Sequence, residues 1–325
     1  MLQCPSVATV VFGIGYIGSR LIQELLFQGR EVVALESFFA SDRRAVDGFG
    51  QARGFRCIEG SIVDAAAVDE VLREADEIES VFLLAAQASA HPSAATAEYT
   101  EDVNLRGPRV VLDALTRRHL AGSIVYASST RVYGSPLPSL VDEQTPLGVF
   151  SDLAHLSKCY AEKLLQMYAA RYNLPCRVVR LGLVYGVAPI MKTDSRFMTA
   201  PNLFCYQAAT GAPIEVRSAD PLAVIHVSDA TQALLLAAET HFPDQFLVFN
   251  GASDVTTIPD VAEMIRRFAE SREITVTVRN FAKVGRTDSR LPVVRSALDN
   301  LGFAPKWHLE EGLAETFDHF LVHRQ

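Results

Sequence analysis

Three glycines near the start of the chain give the clearest chemical signal in the sequence. Gly13, Gly15 and Gly18 follow the apolar run Val7–Phe12, and apolar residues at helical spacing come next. A turn of this kind lets the backbone approach a pyrophosphate, whose charge is favoured by the free amides at a helix N-terminus. A second apolar run, Glu31–Glu36, ends on an acid at the spacing expected of a ribose-binding carboxylate. The pattern predicts a dinucleotide site; the alternative is a turn with only a structural role.

Alternating strand and helix patterns surround this turn and predict a doubly wound sheet. Further predicted strands are Phe55–Glu59, Ser80–Ala86, Ser123–Ser129 and Cys176–Leu181. Predicted helices are Ala65–Ala75, Glu98–Leu120 with a break near Gly107-Pro108, and Ser151–Tyr172. Because right-handed crossovers make successive strands parallel, we predict an α/β, Rossmann-like sheet with helices on both faces. Its ligand belongs at the carboxyl ends of the strands.

The regular alternation of strand and helix patterns ends after Gly186, where prolines and glycines separate shorter elements. The predicted elements are a helix from Ser228 or Asp229 to Glu239, a strand Phe246–Phe249, a helix Asp260–Phe268, an edge strand Ile274–Val278 and a closing helix Leu309–Leu321. We interpret this half as a smaller C-terminal α/β substrate lobe that closes over the crevice. The predicted domains are residues 1–183 and 184–325, with the segment around 222–250 free to return to the first domain.

Charge and cysteine content limit the classes of partner and compartment. The 325 residues carry a formal net charge of −8, which argues against a nucleic-acid partner and an anionic membrane surface. We see neither an apolar run long enough for a membrane nor a signal-peptide pattern. Five scattered cysteines suit a reducing cytoplasm better than a disulfide framework. His319 and His323 stand four residues apart but lack a visible third ligand, so we expect no metal site.

A set of motifs spans nearly the whole chain in a fixed order. The motifs are Val11–Gly18, Leu84-Ala85-Ala86, Val103-Asn104, Val125–Gly134, Ser157-Lys158, Arg180 with Val184-Tyr185-Gly186, Ile225-His226-Val227 and Leu301-Gly302-Phe303. Together they resemble the extended short-chain dehydrogenase/reductase family, of the NAD-dependent sugar-nucleotide epimerase/dehydratase type. The resemblance implies NAD as cofactor, a small-molecule substrate such as a nucleotide sugar, and a homodimer formed by the helices that contain Asn104 and Lys158.

The resemblance also implies how the cofactor is held. Glu36 takes the place of the family's ribose-binding acid, whose charge would repel a 2′-phosphate and so favours NAD over NADP. Arg43 and Arg44 keep NADP open as the alternative. Phe12 stands where the family usually has its first glycine, and Gly13 restores the general glycine pattern. The expected cofactor-binding residues are Gly13, Gly15, Tyr16, Ile17, Gly18, Glu36, Ser61, Ile62, Leu84, Ala85, Ala86 and Lys158.

The resemblance to this family also implies catalysis by a serine, a tyrosine and a lysine. Ser129 falls at the serine position, where it would polarise the reacting oxygen, and Lys158 at the lysine position, where it would bind the nicotinamide ribose. The tyrosine that exchanges the proton should lie four residues before Lys158, on the same helix face. That residue is Ala154. Losing a positioned general acid or base typically lowers a rate by about 10²–10⁴.

Three explanations for Ala154 stay open. His155 is three residues from Lys158 and imidazole titrates near neutrality, although its direction differs from that of Ala154 by about 100°. A displaced tyrosine is the second, for which the candidates are Tyr126, Tyr133 and Tyr160. The third is loss of oxidoreduction, which would leave a non-catalytic NAD-binding regulatory or partner protein. Our candidate catalytic residues are Ser129, Lys158 and His155.

The substrate side also departs from the family pattern. Leu183 stands where nucleotide-sugar enzymes often have asparagine, and Leu222 where an arginine commonly pairs with the substrate's pyrophosphate. Cations of the second lobe that could supply an anion site instead are Lys192, Arg196, Arg217, Arg286 and Arg290. A nucleotide diphosphate sugar is the substrate that the family implies, and a smaller or less charged molecule is the alternative.

Overall fold

Strands and helices alternate along most of the chain. The computed structural model describes residues 7–50, 52–75, 77–89, 91, 93–118, 122–240, 242–282 and 291–323. Its strands are β1 (Val7–Phe12), β2 (Glu31–Glu36), β3 (Phe55–Glu59), β4 (Glu77–Leu83), β5 (Ile124–Ser129), β6 (Leu140–Val141), β7 (Cys176–Leu181), β8 (Leu183–Tyr185), β9 (Ile214–Val216), β10 (Pro221–His226), β11 (Phe246–Gly251), β12 (Asp254–Thr257), β13 (Val278–Asn280) and β14 (Val293–Val294). Its α-helices are α1 (Tyr16–Phe27), α2 (Arg43–Gly50), α3 (Ala65–Arg73), α4 (Ala97–Glu101), α5 (Gly107–Leu115), α6 (Leu153–Tyr172), α7 (Ala200–Thr210), α8 (Val227–Glu239), α9 (Ile258–Glu270) and α10 (Leu309–Val322). A π-helix, Asp102–Arg106, joins α4 to α5, and 3₁₀-helices span Thr130–Tyr133, Ser195–Phe197 and Ala297–Leu301.

Seven parallel strands form the central sheet, in the order β11-β7-β5-β4-β1-β2-β3. In this register Val10 of β1 lies beside Val33 of β2, and Val11 lies beside Phe82 of β4. The chain builds the sheet outward from β1 to β3, then returns to add β4 on the other side of β1. That reversal opens a crevice at the carboxyl ends of β1 and β4. The predicted Rossmann-like fold is confirmed.

Alternate residues of each central strand face opposite helix layers. Val10 packs with Leu112 of α5 on one face of the sheet, whereas Val11 packs with Leu21 of α1 and Leu234 of α8 on the other. All five side chains are fully buried. Each such leucine contributes about 1.5–3 kcal/mol of burial free energy, so both layers hold the strand ends in place.

The second lobe has its own sheet and core. Strand β10 is antiparallel to β12 and parallel to β8, and helices α7, α9 and α10 pack around Phe204, Ile265 and Phe317. Strand β11 and helix α8 follow residue 184 in the sequence, yet β11 pairs with β7 and α8 packs on α1. The division of the chain at residues 183 and 184 stays a prediction. No helix in the described part of the chain is long and apolar enough to cross a bilayer.

The predicted bounds of strand four were wrong. The strand is Glu77–Leu83 and not Ser80–Ala86. The amides of Leu84 and Ala85 both donate to Phe12 O, at 2.9 and 2.6 Å, so the chain leaves the ladder there although its apolar run continues. This turn places Leu84 and Ala85 against the glycine turn after β1.

Three other predicted elements also needed correction. Helix α8 begins at Val227, because His226 caps it by accepting the Ser228 amide. The edge strand is Val278–Asn280 and not Ile274–Val278, since its ladder bonds pair it with β9. The long predicted helix is interrupted just before Gly107, as expected, by π-helical geometry over Asp102–Arg106, but α5 ends at Leu115 and not at Leu120.

Candidate active site

The glycine turn between β1 and α1 is crowded on two sides and open on the third. Gly13 has a φ of +100°, and a Cβ added to it would lie 2.6 Å from Ala85 N. A Cβ on Gly18 would lie 2.0 Å from Gly13 O. Gly15 caps α1 without a side-chain hydrogen bond, and the first turn of α1 holds no acid. The helix amides are therefore available to an anion, as in phosphate-binding turns.

Glu36 ends β2 beside this turn. Its Oε2 accepts the amide of Ile14 at 2.7 Å and its Oε1 accepts the amide of Phe38 at 3.0 Å. Two fixed donors set the orientation of the carboxylate, and each oxygen keeps a second lone pair for another donor. The position suits an acceptor for the two hydroxyl groups of a ribose.

Ser129 and Lys158 come from the end of β5 and the first turns of α6. Ser129 Oγ accepts the Arg131 amide at 3.2 Å, so its own proton is free for another acceptor. Lys158 Nζ donates to Ala127 O at 2.8 Å. Burial lowers the pKa of Lys158 to about 8, and the nearby Glu162 carboxylate opposes that shift. A buried lysine of this kind can hold its charge when an anion or a ribose oxygen comes near.

His155 is held by an acid at the start of α6. Asp152 is the N-cap of the helix, and its Oδ1 accepts the His155 amide at 2.9 Å. Its Oδ2 lies 2.6 Å from His155 Nδ1. Because a carboxylate only accepts, Nδ1 carries the proton in this contact, and in the neutral imidazole Nε2 then presents a lone pair. The pair is therefore an oriented base, directly after Ala154 in the sequence.

The tyrosines considered as substitutes are placed differently. The Tyr133 hydroxyl accepts from Arg180 at 2.8 Å and donates to Asn250 at 2.7 Å. The Tyr126 ring centroid lies 4.8 Å from Lys158 Nζ, and Tyr160 is 44% exposed. Among the described residues, the lining of the cavity around Lys158 includes none of these three tyrosines.

A buried ion pair fixes the elements that carry Ser129 and Lys158. Arg180 of β7 binds Glu162 of α6, with Nη2 and Oε2 2.7 Å apart, and Ser128 Oγ donates to Glu162 Oε1 at 2.5 Å. Both charged side chains are buried, which makes the loss of either partner costly. The network locks α6 against the ends of β5 and β7.

All predicted site residues share one cavity of about 790 Å³. They are Gly13, Gly15, Tyr16, Ile17, Gly18, Glu36, Ser61, Ile62, Leu84, Ala85, Ala86, Ser129, His155 and Lys158. Of the candidate cations, Lys192, Arg196 and Arg217 also line it, together with Leu183 and Leu222. Arg286 and Arg290 lie outside the described residues, as does the side chain of Arg44.

One protein-family model matches most of this chain. The model of the NAD dependent epimerase/dehydratase family covers residues 9–250, from β1 through most of β11. The chain belongs to this family.

Individual members of the NAD-dependent epimerase/dehydratase family align with nearly the whole chain. A dTDP-D-glucose 4,6-dehydratase from Mus musculus is 24% identical, over 95% of this chain and 87% of the relative. A solved UDP-glucose 4-epimerase from Thermotoga maritima, with UDP-glucose, has a TM-score of 0.82 at 22% identity, covering 98% and 100% of the two chains. MoeE5, solved with UDP-glucuronic acid and NAD, is 26% identical with a TM-score of 0.78, covering 96% and 98%.

Asp152 is a member of this site that the sequence analysis missed. It stands three residues before His155 and directly before the predicted helix, which is the spacing of an N-cap residue and its N3 partner. That spacing was a usable signal for the contact. Lys192 appeared only as one of several cations, because nothing in the local sequence places it near Gly15.

Metal-ligand geometry is not found in the described part of the chain. His319 and His323 stack with ring centroids 4.4 Å apart, and no group of three histidine, cysteine, aspartate or glutamate side chains there could hold a metal ion.

Proposed function

We propose that this member of the family is an NAD-dependent enzyme that oxidises a nucleotide sugar and reduces it again. In this proposal the His155–Asp152 pair replaces the tyrosine that is missing at Ala154. The observation that carries it is the 2.6 Å contact from His155 Nδ1 to Asp152 in the cavity that Ser129 and Lys158 also line. An oriented imidazole, a serine hydroxyl and a lysine ammonium that line one cavity form a set that can move a proton to and from an alcohol.

NAD fits the residues at the front of the cavity. The open amides of α1 face the position of a pyrophosphate, and the fixed Glu36 carboxylate accepts ribose hydroxyls while repelling a 2′-phosphate. MoeE5, which shares 26% of its aligned residues with this chain, was solved with NAD and a UDP-sugar acid. When bound, NAD supplies a hydride acceptor.

The protein groups around the substrate divide the remaining work. Ser129 donates its hydroxyl proton in a hydrogen bond to the reacting oxygen. His155 Nε2 removes the proton from that oxygen as the hydride leaves the carbon that is bonded to it. Asp152 stabilises the resulting imidazolium. In the return step, His155 gives the proton back. Lys158 holds the nicotinamide ribose and stabilises negative charge on the oxygen.

A second candidate function rests on Ala154 itself. The alanine lines the cavity one helical turn before Lys158, where its methyl group cannot exchange a proton. A family member without this group could bind NAD as a regulatory or partner protein. Turnover of a substrate separates the two functions.

We also propose a homodimer through α6 in the cytoplasm. Leu156, Tyr160 and Met167 are 52%, 44% and 49% exposed, and their spacing places them along one stripe of α6. Such a stripe suits a helix of a second copy. The free thiols of Cys57, Cys159, Cys176 and Cys205 suit a reducing compartment. A Leu156→Glu variant should shift the protein to monomers in analytical ultracentrifugation; an unchanged mass would contradict the dimer.

The catalytic proposal is tested with NAD-loaded protein and a panel of UDP-glucose, UDP-glucuronic acid and dTDP-glucose. We expect turnover by the wild type, loss in His155→Phe, and partial recovery when Ala154→Tyr is added to His155→Phe. The recovery is expected because residue 154 faces the same way as Lys158. Full activity in His155→Phe would show that the histidine is not the base. Bound NAD with no turnover of any substrate would favour the regulatory function.

A further inference from the structure

Lys192 reaches from the second lobe to the open side of the glycine turn. It lies between β8 and α7 in the sequence, and its Nζ donates to Ala40 O at 2.9 Å. A Cβ added to Gly15 would lie 3.7 Å from this Nζ. The ammonium therefore stands next to the N-terminus of α1, where no side chain caps the helix.

The segment that carries Lys192 is tied to α1 itself. The Tyr16 hydroxyl donates to Gly186 O at 2.7 Å, and the Ile190 amide donates to Ser19 Oγ at 3.1 Å. Both partners lie in the first turns of the helix that follows the glycines. These two contacts hold the segment against α1, so the place of the ammonium is built into the fold.

The charge around Lys192 suits a further anion. Burial lowers the pKa of Lys192, and the Glu36 carboxylate opposes the shift. Glu36 already accepts two backbone amides, and Ala40 offers Lys192 a neutral carbonyl. A phosphate at the turn would give the half-buried ammonium an acceptor with a full negative charge.

We propose that Lys192 is a pyrophosphate-binding residue of the cofactor site, supplied by the second lobe. This inference rests on the proposed NAD binding and adds one residue to it. The glycine turn gives backbone amides from one side, and Lys192 gives a side-chain cation from the other. A bound dinucleotide is then held between the glycine turn and the segment that follows β8.

The test is calorimetric titration of cofactor-stripped, folded protein with NAD, ADP-ribose and NADP. Lys192→Met should weaken NAD and ADP-ribose by about tenfold to a hundredfold, the range for hydrogen bonds to charged groups. Lys192→Arg should keep most of the affinity, because it keeps the charge. The control is Lys306→Met, which removes an exposed lysine side chain away from the cavity, leaves the backbone bond of residue 306 to Asp229 in place, and should leave every affinity unchanged. Thermal unfolding of each variant checks that it is folded.

Each other outcome has a definite meaning. Unchanged NAD and ADP-ribose affinity in Lys192→Met would overturn the role of Lys192, while binding by the wild type would leave the proposed function standing. A loss confined to NADP would also overturn it, because the ammonium would then serve a 2′-phosphate. Failure of the wild type to bind NAD at all would remove the proposed function itself.

Discussion

Replacing Asp152 with asparagine separates its two contacts with His155. The side chain caps α6 through Oδ1, which accepts the His155 amide at 2.9 Å, and orients the imidazole through Oδ2 at 2.6 Å from Nδ1. Asparagine keeps an oxygen for the cap. It puts an amide donor where Oδ2 was, so that the proton moves from Nδ1 to Nε2 of the imidazole. The helix stays capped, but the base loses its free lone pair.

The expected changes in rate and in stability differ in size. Removing a positioned general base lowers a rate by about 10²–10⁴, or about 3–5 kcal/mol of barrier. Asparagine and aspartate are comparable N-caps, and loss of the charge at the helix N-terminus costs about 0.3–1 kcal/mol. We therefore expect Asp152→Asn to lose most of its turnover while its free energy of unfolding falls by no more than about 1 kcal/mol.

The measurement compares single-substrate turnover and urea unfolding for wild type, Asp152→Asn and Asp64→Asn. Asp64 is a matched control because it caps α3 by accepting the Ala66 amide and is not among the residues that line the cavity. Asp64→Asn should show a similarly small loss of stability with an unchanged rate. Wild-type turnover in Asp152→Asn would show that the acid does not orient a catalytic base. An equal loss of rate in both variants would point to a general effect of removing a helix cap.

Three further predictions concern the framework of the site. Glu162→Ala should lower the free energy of unfolding in urea by about 3–5 kcal/mol, since it leaves the buried Arg180 guanidinium without its carboxylate. Glu263→Ala, which removes an exposed ion pair, should change it little. A small effect at Glu162 would contradict the role of the buried network. Because burial lowers the pKa of Lys158 to about 8, the unfolded chain holds more protons between that pH and the ordinary lysine pKa. Wild-type stability relative to Lys158→Met should therefore rise as the pH increases through this window, and a flat difference would argue against the shifted pKa. Gly18→Ala should abolish NAD binding in calorimetry, because its Cβ would lie 2.0 Å from Gly13 O, and normal affinity would disprove the close approach of helix and strand.

Local patterns were enough for four strands of the central sheet. Strands β1, β2, β3 and β7 have the bounds that their apolar runs predict, because parallel strands buried on both faces need continuous apolar residues. Strand β4 was misplaced, since the end of a strand is set by a hydrogen bond to a neighbouring strand. In the second lobe, α7 and β10 had no predicted counterpart. Helix α7 mixes polar and apolar residues, and both elements join the core through contacts with helices such as α10.

The sequence by itself determined which residues stand at the turn, at the ends of the strands and on α6, because these depend on order and spacing along the chain. It therefore placed Gly13, Glu36, Ser129 and Lys158 in one site and identified the alanine at position 154. Only the tertiary structure decided which of these groups contact one another. The hydrogen bond from the Ile14 amide to Glu36 and the approach of Lys192 to Gly15 each depend on where groups distant in sequence meet in space. Residues distant in sequence are brought together by packing, and no local pattern encodes that distance.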